Sequence, residues 1–138
     1  MISNIPAISI RQPWAELILL GKKTIELRSW STDYRGQLWL HTGLKGELDL
    51  EEKFNLPNLF TGGYVGRIIL AAVIPMDPVR WQMWQSKHLQ TSPYRSGIYA
   101  WILSSPRRFK EPIPGPGKLE LFSPLPEIEA QLLKARFV

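Results

Sequence analysis

The segment from Gly21 to Arg28 sets two cations and a carboxylate at the spacing Gly-x-Lys-x-x-Glu-x-Arg, with Lys23, Glu26 and Arg28 as the charged members. A cation pair of this kind can clamp a phosphate or polarise a carbonyl, and the carboxylate can accept from a base's exocyclic amine or from a ribose hydroxyl. Glu26, flanked by two cations, suits the role of acceptor, orienter or base better than that of proton donor. The competing reading is a surface ion-pair ladder on an exposed strand, which contributes about 0 to 1 kcal/mol and recognises nothing.

Further candidates flank the motif. Arg11 can bind phosphate bidentately and stack on a base, and Gln12 can read a base edge or cap the helix that follows. Trp30, Tyr34 and Arg35 interleave aromatic rings with a guanidinium, as platforms for unpaired bases do, although the two rings could equally close one end of the fold. His41 is a general-base candidate or a hydrogen-bonded structural histidine, and His88 has no assigned role. Arg107, Arg108 and Lys110 cluster in a Pro-rich passage and read as a solvated turn or a second phosphate contact.

The elements that must position these groups follow from the pattern. Ala7 to Ile10 reads as a first strand. Pro13 to Leu20 reads as a one-faced helix with Trp14, Leu17 and Ile18 at helical spacing, closed by Gly21. Thr24 to Arg28 alternates polar and apolar, so Glu26 and Arg28 share a face, while Lys23 joins them only if it still belongs to the turn. Strands are expected at 36–42, 63–74, 98–103 and 118–122, with short helices near 48–54, 78–85 and 127–137. The segment 86–96 and the Pro-rich run 106–116 are expected to be loops. Many Gly- and Pro-bounded strands with few long helices predict an α+β, mainly β chain, a small β-barrel with flanking short helices.

Composition bounds the rest. The 138 residues, 44% of them hydrophobic, fit a single domain, with its core at about 6–123 and its C-terminal helix at about 127–137. No signal sequence and no run of about 18 apolar residues is visible, which predicts a soluble, cytoplasmic chain without a membrane partner. The absence of cysteine removes disulfides, thiolate nucleophiles and Cys-based zinc sites, and the two histidines lack ligand spacing. No metal and no cofactor are expected. Seventeen Lys and Arg against 12 Asp and Glu leave a formal charge of +5, compatible with phosphate-bearing partners.

The motif, with Arg11-Gln12-Pro13-Trp14 before it and Tyr34-Arg35-Gly36 after it, resembles the ASCH domain family of the PUA-like superfamily. The likeness continues through residues 97–102, 111–114 and 117–122 and so covers about residues 6 to 123. It implies a PUA-like barrel with a cleft for RNA or a modified nucleoside. Members of the family are thought to be RNA-binding modules, coactivator domains, ribonucleases, or amidohydrolases that deacylate N4-acetylcytidine. The amidohydrolase branch carries a lysine and a threonine at positions matching Lys23 and Glu26, so this chain departs from it at the second. The expected function is RNA or nucleotide binding in a cleft built on Lys23, Glu26 and Arg28. The alternatives are a metal-independent hydrolase using Lys23 with Glu26 or His41, and a transcription-related protein-interaction module.

Overall fold

Leu38 and Leu40 alternate with Trp39 and His41 along one strand, and all four are buried, so the sheet that contains them is covered on both faces. The computed structural model describes residues 5–138. Its elements run β1 (Ala7–Ser9), α1 (Trp14–Leu19), β2 (Ile25–Arg28), β3 (Gly36–Thr42), α2 (Leu48–Lys53), β4 (Gly63–Pro75), α3 (Pro78–Met83), α4 (Gln85–His88), β5 (Tyr99–Pro114), β6 (Leu121–Phe122) and α5 (Pro126–Lys134). The strands form one sheet in the order β2-β5-β4-β3-β1-β6. All neighbours are antiparallel except β1 and β3, which run parallel with Ser9 opposite His41. Because β2 and β6 do not pair, the sheet is a half-barrel rather than a closed one.

Leu38, Leu40, Ile68, Leu70 and Trp101 on one face meet Trp14, Leu17 and Ile18 of α1 in the main core. Trp39, Tyr64 and Phe122 meet Ile128 and Leu132 of α5 on the other. A third cluster packs Ile25, Ile98 and Ala100 under Trp81 of α3. No helix among the described residues is long and apolar enough to cross a membrane.

Four sequence expectations are corrected. The Pro-rich run is not a loop, because β5 continues through it to Pro114. β2 covers only Tyr99 to Ile102 of β5. Beyond that point one edge lies outside the β2 ladder, and there Pro106, Pro112 and Pro114 fit although they bring no N–H. The segment after Gln85 contains α4, which ends at Leu89 in the left-handed region, φ 65°. The last strand is cut to Leu121–Phe122 because Glu120, at φ 59°, breaks the extended run. α5 likewise stops at Lys134, and Phe137 turns back to bridge and stack on Phe109.

Tyr64 is fully buried, and its hydroxyl has no hydrogen-bond partner among the described residues. Burial pushes the phenol from its ordinary 10.0 up to about 12. A folded-state pKa above the unfolded one contributes stability that is complete below pH 10 and declines as pH rises toward 12. Tyr64→Phe removes this dependence and the unpaired hydroxyl, and should raise neutral-pH stability by about 1 kcal/mol. Urea unfolding at about pH 7 and about pH 11 checks this. A loss of stability at neutral pH, or an unchanged alkaline decline relative to the parent, would count against it.

Candidate functional site

Gly21, at φ 76°, ends α1, and the backbone N–H groups of Lys22 and Lys23 both donate to the Leu17 carbonyl at 3.0 and 3.1 Å. That tight turn sends the Lys23 side chain inward before β2 begins. Its Nζ donates to the His88 carbonyl at 2.6 Å, stands 3.6 Å from Glu26 Oε1 and lies 4.6 Å from the centre of the Trp14 ring. On the next same-face positions of β2, Arg28 Nη1 donates to Glu26 Oε2 at 3.1 Å. Side-chain exposure rises along the row, 0% for Lys23, 7% for Glu26 and 22% for Arg28. The three groups therefore form a chain running outward from the core, with Glu26 in the middle.

This arrangement changes the role expected of Lys23. It does not line the cleft. It supports Glu26 from behind, and burial, only partly offset by Glu26, lowers its pKa. His88, for which the sequence pattern suggests no role, is the other half of that support. It is buried, its Nε2 bonds the Trp81 carbonyl at 2.8 Å, and its Nδ1 accepts from the Gln90 N–H at 3.0 Å. Its own carbonyl is thereby fixed for Lys23.

A cavity of about 1000 Å³ opens between the two ends of the sheet. Glu26 and Arg28 of β2 form one wall, and Ser9 of β1 with His41 of β3 forms the opposite one. The guanidinium spans toward that wall, with Arg28 Nη2 3.5 Å from the Ser9 carbonyl oxygen. Arg11, Lys45 and Lys118 stand exposed at the rim with Leu44 and Leu119, and buried Trp14 contributes a ring fixed by its Nε1–H bond to Glu47 at 2.9 Å. An acceptor-and-donor pair at depth, below a cationic rim, can take a planar polar group with an attached anion.

Other expected residues lie elsewhere. Gln12 is buried and spent at both ends: its Oε1 accepts from the Glu16 N–H of α1 at 3.0 Å and its Nε2 donates to the Phe60 carbonyl at 3.0 Å. It holds the first turn of α1 and does not line the cavity. Trp30 packs edge-on against Trp101 at 4.6 Å, Tyr34 donates its hydroxyl to the Gln37 carbonyl at 2.6 Å, and Arg35 bonds the carbonyls of Thr32 and Tyr34 at 2.7 Å. None of the three lines the cavity, although the Arg28 guanidinium at its wall lies 5.7 Å from the centre of the Trp30 ring. Arg108 is no solvated turn residue, since it holds Glu16 of α1 through two bonds of 2.8 and 2.6 Å. Arg107 lies over the Phe137 ring.

His41 does line the cavity, but both its nitrogens are engaged, Nδ1 with Ser9 Oγ and Nε2 with the Gly115 carbonyl, each at 2.9 Å. Burial lowers its pKa, partly offset by the Gly115 bond. Sequence reasoning missed Ser9, Lys45, Gln90 and Lys118, all at the cavity. For Ser9 the one available signal is its register with His41, which requires knowing that β1 and β3 pair. The rim lysines carry no local signal.

Known proteins share this architecture. A family model described as the ASCH domain matches residues 8–113. Activating signal cointegrator 1 of Mus musculus is 28% identical over 123 residues, covering 81% of this chain and 21% of that protein. Its Homo sapiens namesake is 52% identical over 33 residues, covering 24% of this chain and 6% of that protein. The chain thus spans about a fifth or less of the length of these relatives. Among solved structures, the ASCH protein from Zymomonas mobilis superposes with a TM-score of 0.65 at 18% identity, covering 94% of this chain and 92% of that one. A point mutant of the same Zymomonas mobilis protein gives a TM-score of 0.62 at 17% identity, covering 96% and 97%. At such identity the likeness is one of fold.

Proposed function

This chain belongs to the ASCH domain family, and from that premise we propose that it binds RNA or a nucleotide-like ligand in the cavity between its sheet ends. The observation that carries the reading is the buried Glu26 carboxylate, held between Lys23 and Arg28 at a cavity wall beneath the exposed cations of the rim. A ligand that satisfies such a site offers N–H donors to Glu26, an acceptor to Arg28 and an anion to the rim. A nucleobase with its phosphate has all three. Trp14 and the rim leucines supply apolar contact for the base's face.

Rim phosphate contacts release counterions, so affinity should fall with salt. With Arg11, Lys45 and Lys118 as the contacts, log K against log salt for a single-stranded RNA should slope at about −2, and the Arg11→Ala, Lys118→Ala double variant should flatten it to about −0.7. Fluorescence anisotropy at several ionic strengths measures this. A flat response in the parent, or no RNA binding at low salt, would overturn the proposal.

A further inference from the structure

We propose that Ser9 is a nucleophile, activated by His41, which accepts acyl groups from small activated esters entering the same cavity. The Gly115 carbonyl can only accept, so the proton of the neutral imidazole sits on Nε2 and points at it over 2.9 Å. Nδ1 is then the lone-pair nitrogen, and the hydrogen bond of 2.9 Å to Ser9 runs from the hydroxyl to the ring. This is the arrangement a serine nucleophile requires of its base, with a backbone carbonyl fixing the tautomer. Burial lowers the pKa of the ring and so favours the neutral form, which carries the free lone pair on Nδ1.

The ring is also held in place. A Cβ on Gly117 would lie 2.5 Å from the imidazole, so the chain closes against it, and the Tyr64 and Phe122 rings meet it edge-on at 4.9 and 5.9 Å. The plain alternative is a cross-strand hydrogen bond that merely satisfies a buried histidine. Two features favour reactivity over that. Ser9 is half-buried and both residues line the cavity, and the Arg28 guanidinium stands beside Ser9, 3.5 Å from its carbonyl oxygen, where it can stabilise an oxyanion.

In the step itself, Ser9 Oγ bonds to the ester carbonyl carbon while its proton passes to His41 Nδ1. The carbon–oxygen bond to the leaving alcohol then breaks, that alcohol takes the proton from Nδ1, and the acyl group remains on Ser9. Water, deprotonated by the same nitrogen, releases it as a carboxylic acid and restores the hydroxyl.

The test uses p-nitrophenyl acetate with the full chain, following p-nitrophenol release and mapping acetylated peptides. The expected result is one acetyl group on Ser9, with Ser9→Ala abolishing that modification and His41→Gln slowing release about 10²- to 10⁴-fold. Ser9→Cys, which keeps a nucleophile beside the same base, should restore acylation even if His41→Gln fails to fold. Acetyl groups confined to surface lysines, or release unchanged in Ser9→Ala, would overturn the proposal. The probe contains no nucleotide, so failure here leaves RNA binding untouched, and failure of RNA binding leaves this inference standing.

Discussion

Replacing Lys23 by Met should destabilise the protein by about 3 kcal/mol, the cost of removing one partner from a buried ion pair. Methionine can follow the same path past the Trp14 ring, so the change isolates the charge and its hydrogen bonds. What is lost is the bond to the His88 carbonyl at 2.6 Å and the cation 3.6 Å from Glu26. The His88 carbonyl and one side of Glu26 are then left in a dry environment, and unsatisfied buried acceptors carry the desolvation penalty. Urea unfolding gives the number. Adding Glu26→Leu to Lys23→Met should recover part of the loss, because it removes the stranded carboxylate. A single-variant loss under about 0.5 kcal/mol would mean that Lys23 is a bystander to the fold.

Replacing Arg28 by Ala should weaken RNA or nucleotide binding about 10- to 100-fold, since a hydrogen bond to a charged group contributes about 1.5 to 3 kcal/mol. Arg28 is the most exposed member of the buried row and faces the cavity, whereas Arg107 sits on Phe137 away from it. Arg107→Ala should therefore leave affinity within about twofold, although it removes the same formal charge. Melting must be followed alongside, because Arg28 also holds Glu26 at 3.1 Å. If Arg28→Ala melts early and binds normally per folded molecule, its role is structural and the binding site lies elsewhere.

The parts of this architecture that local pattern governs were legible in the chain. Alternation marks β3 at Gly36–Thr42 with the bounds observed, and the same parity puts Glu26 and Arg28 side by side on β2. Helical spacing marks the face of α1 that enters the core. What parity cannot say is whether a polar face meets water. Lys23 turns inward because a carbonyl 65 positions along the chain waits for it, and no short window contains that fact. Trp30 and Tyr34 have the composition of a base platform, yet Trp101 and the Gln37 carbonyl claim them first. The prolines of β5 argue against a strand until the short reach of β2 is known, since only then do stretches of that edge on either side of the Phe109–Phe137 bridge exist to hold them. Ser9 is silent for the same reason, because its partner is set by a parallel pairing between distant strands.

An unclosed sheet also bears on how copies of this chain meet one another. Strand edges that no neighbour covers are templates for a foreign strand, and proteins that keep them must discourage stacking into fibrils. β6 offers only two residues, too few to seed a ladder. β2 offers four, and two of those are Glu26 and Arg28, with the guanidinium reaching across the gap toward the Ser9 carbonyl. An incoming strand would have to strip water from the half-buried guanidinium and break its contact with Ser9. The charged row at the cavity wall therefore also guards the short β2 edge, so that the ligand contacts proposed above and resistance to strand addition fall to the same two side chains.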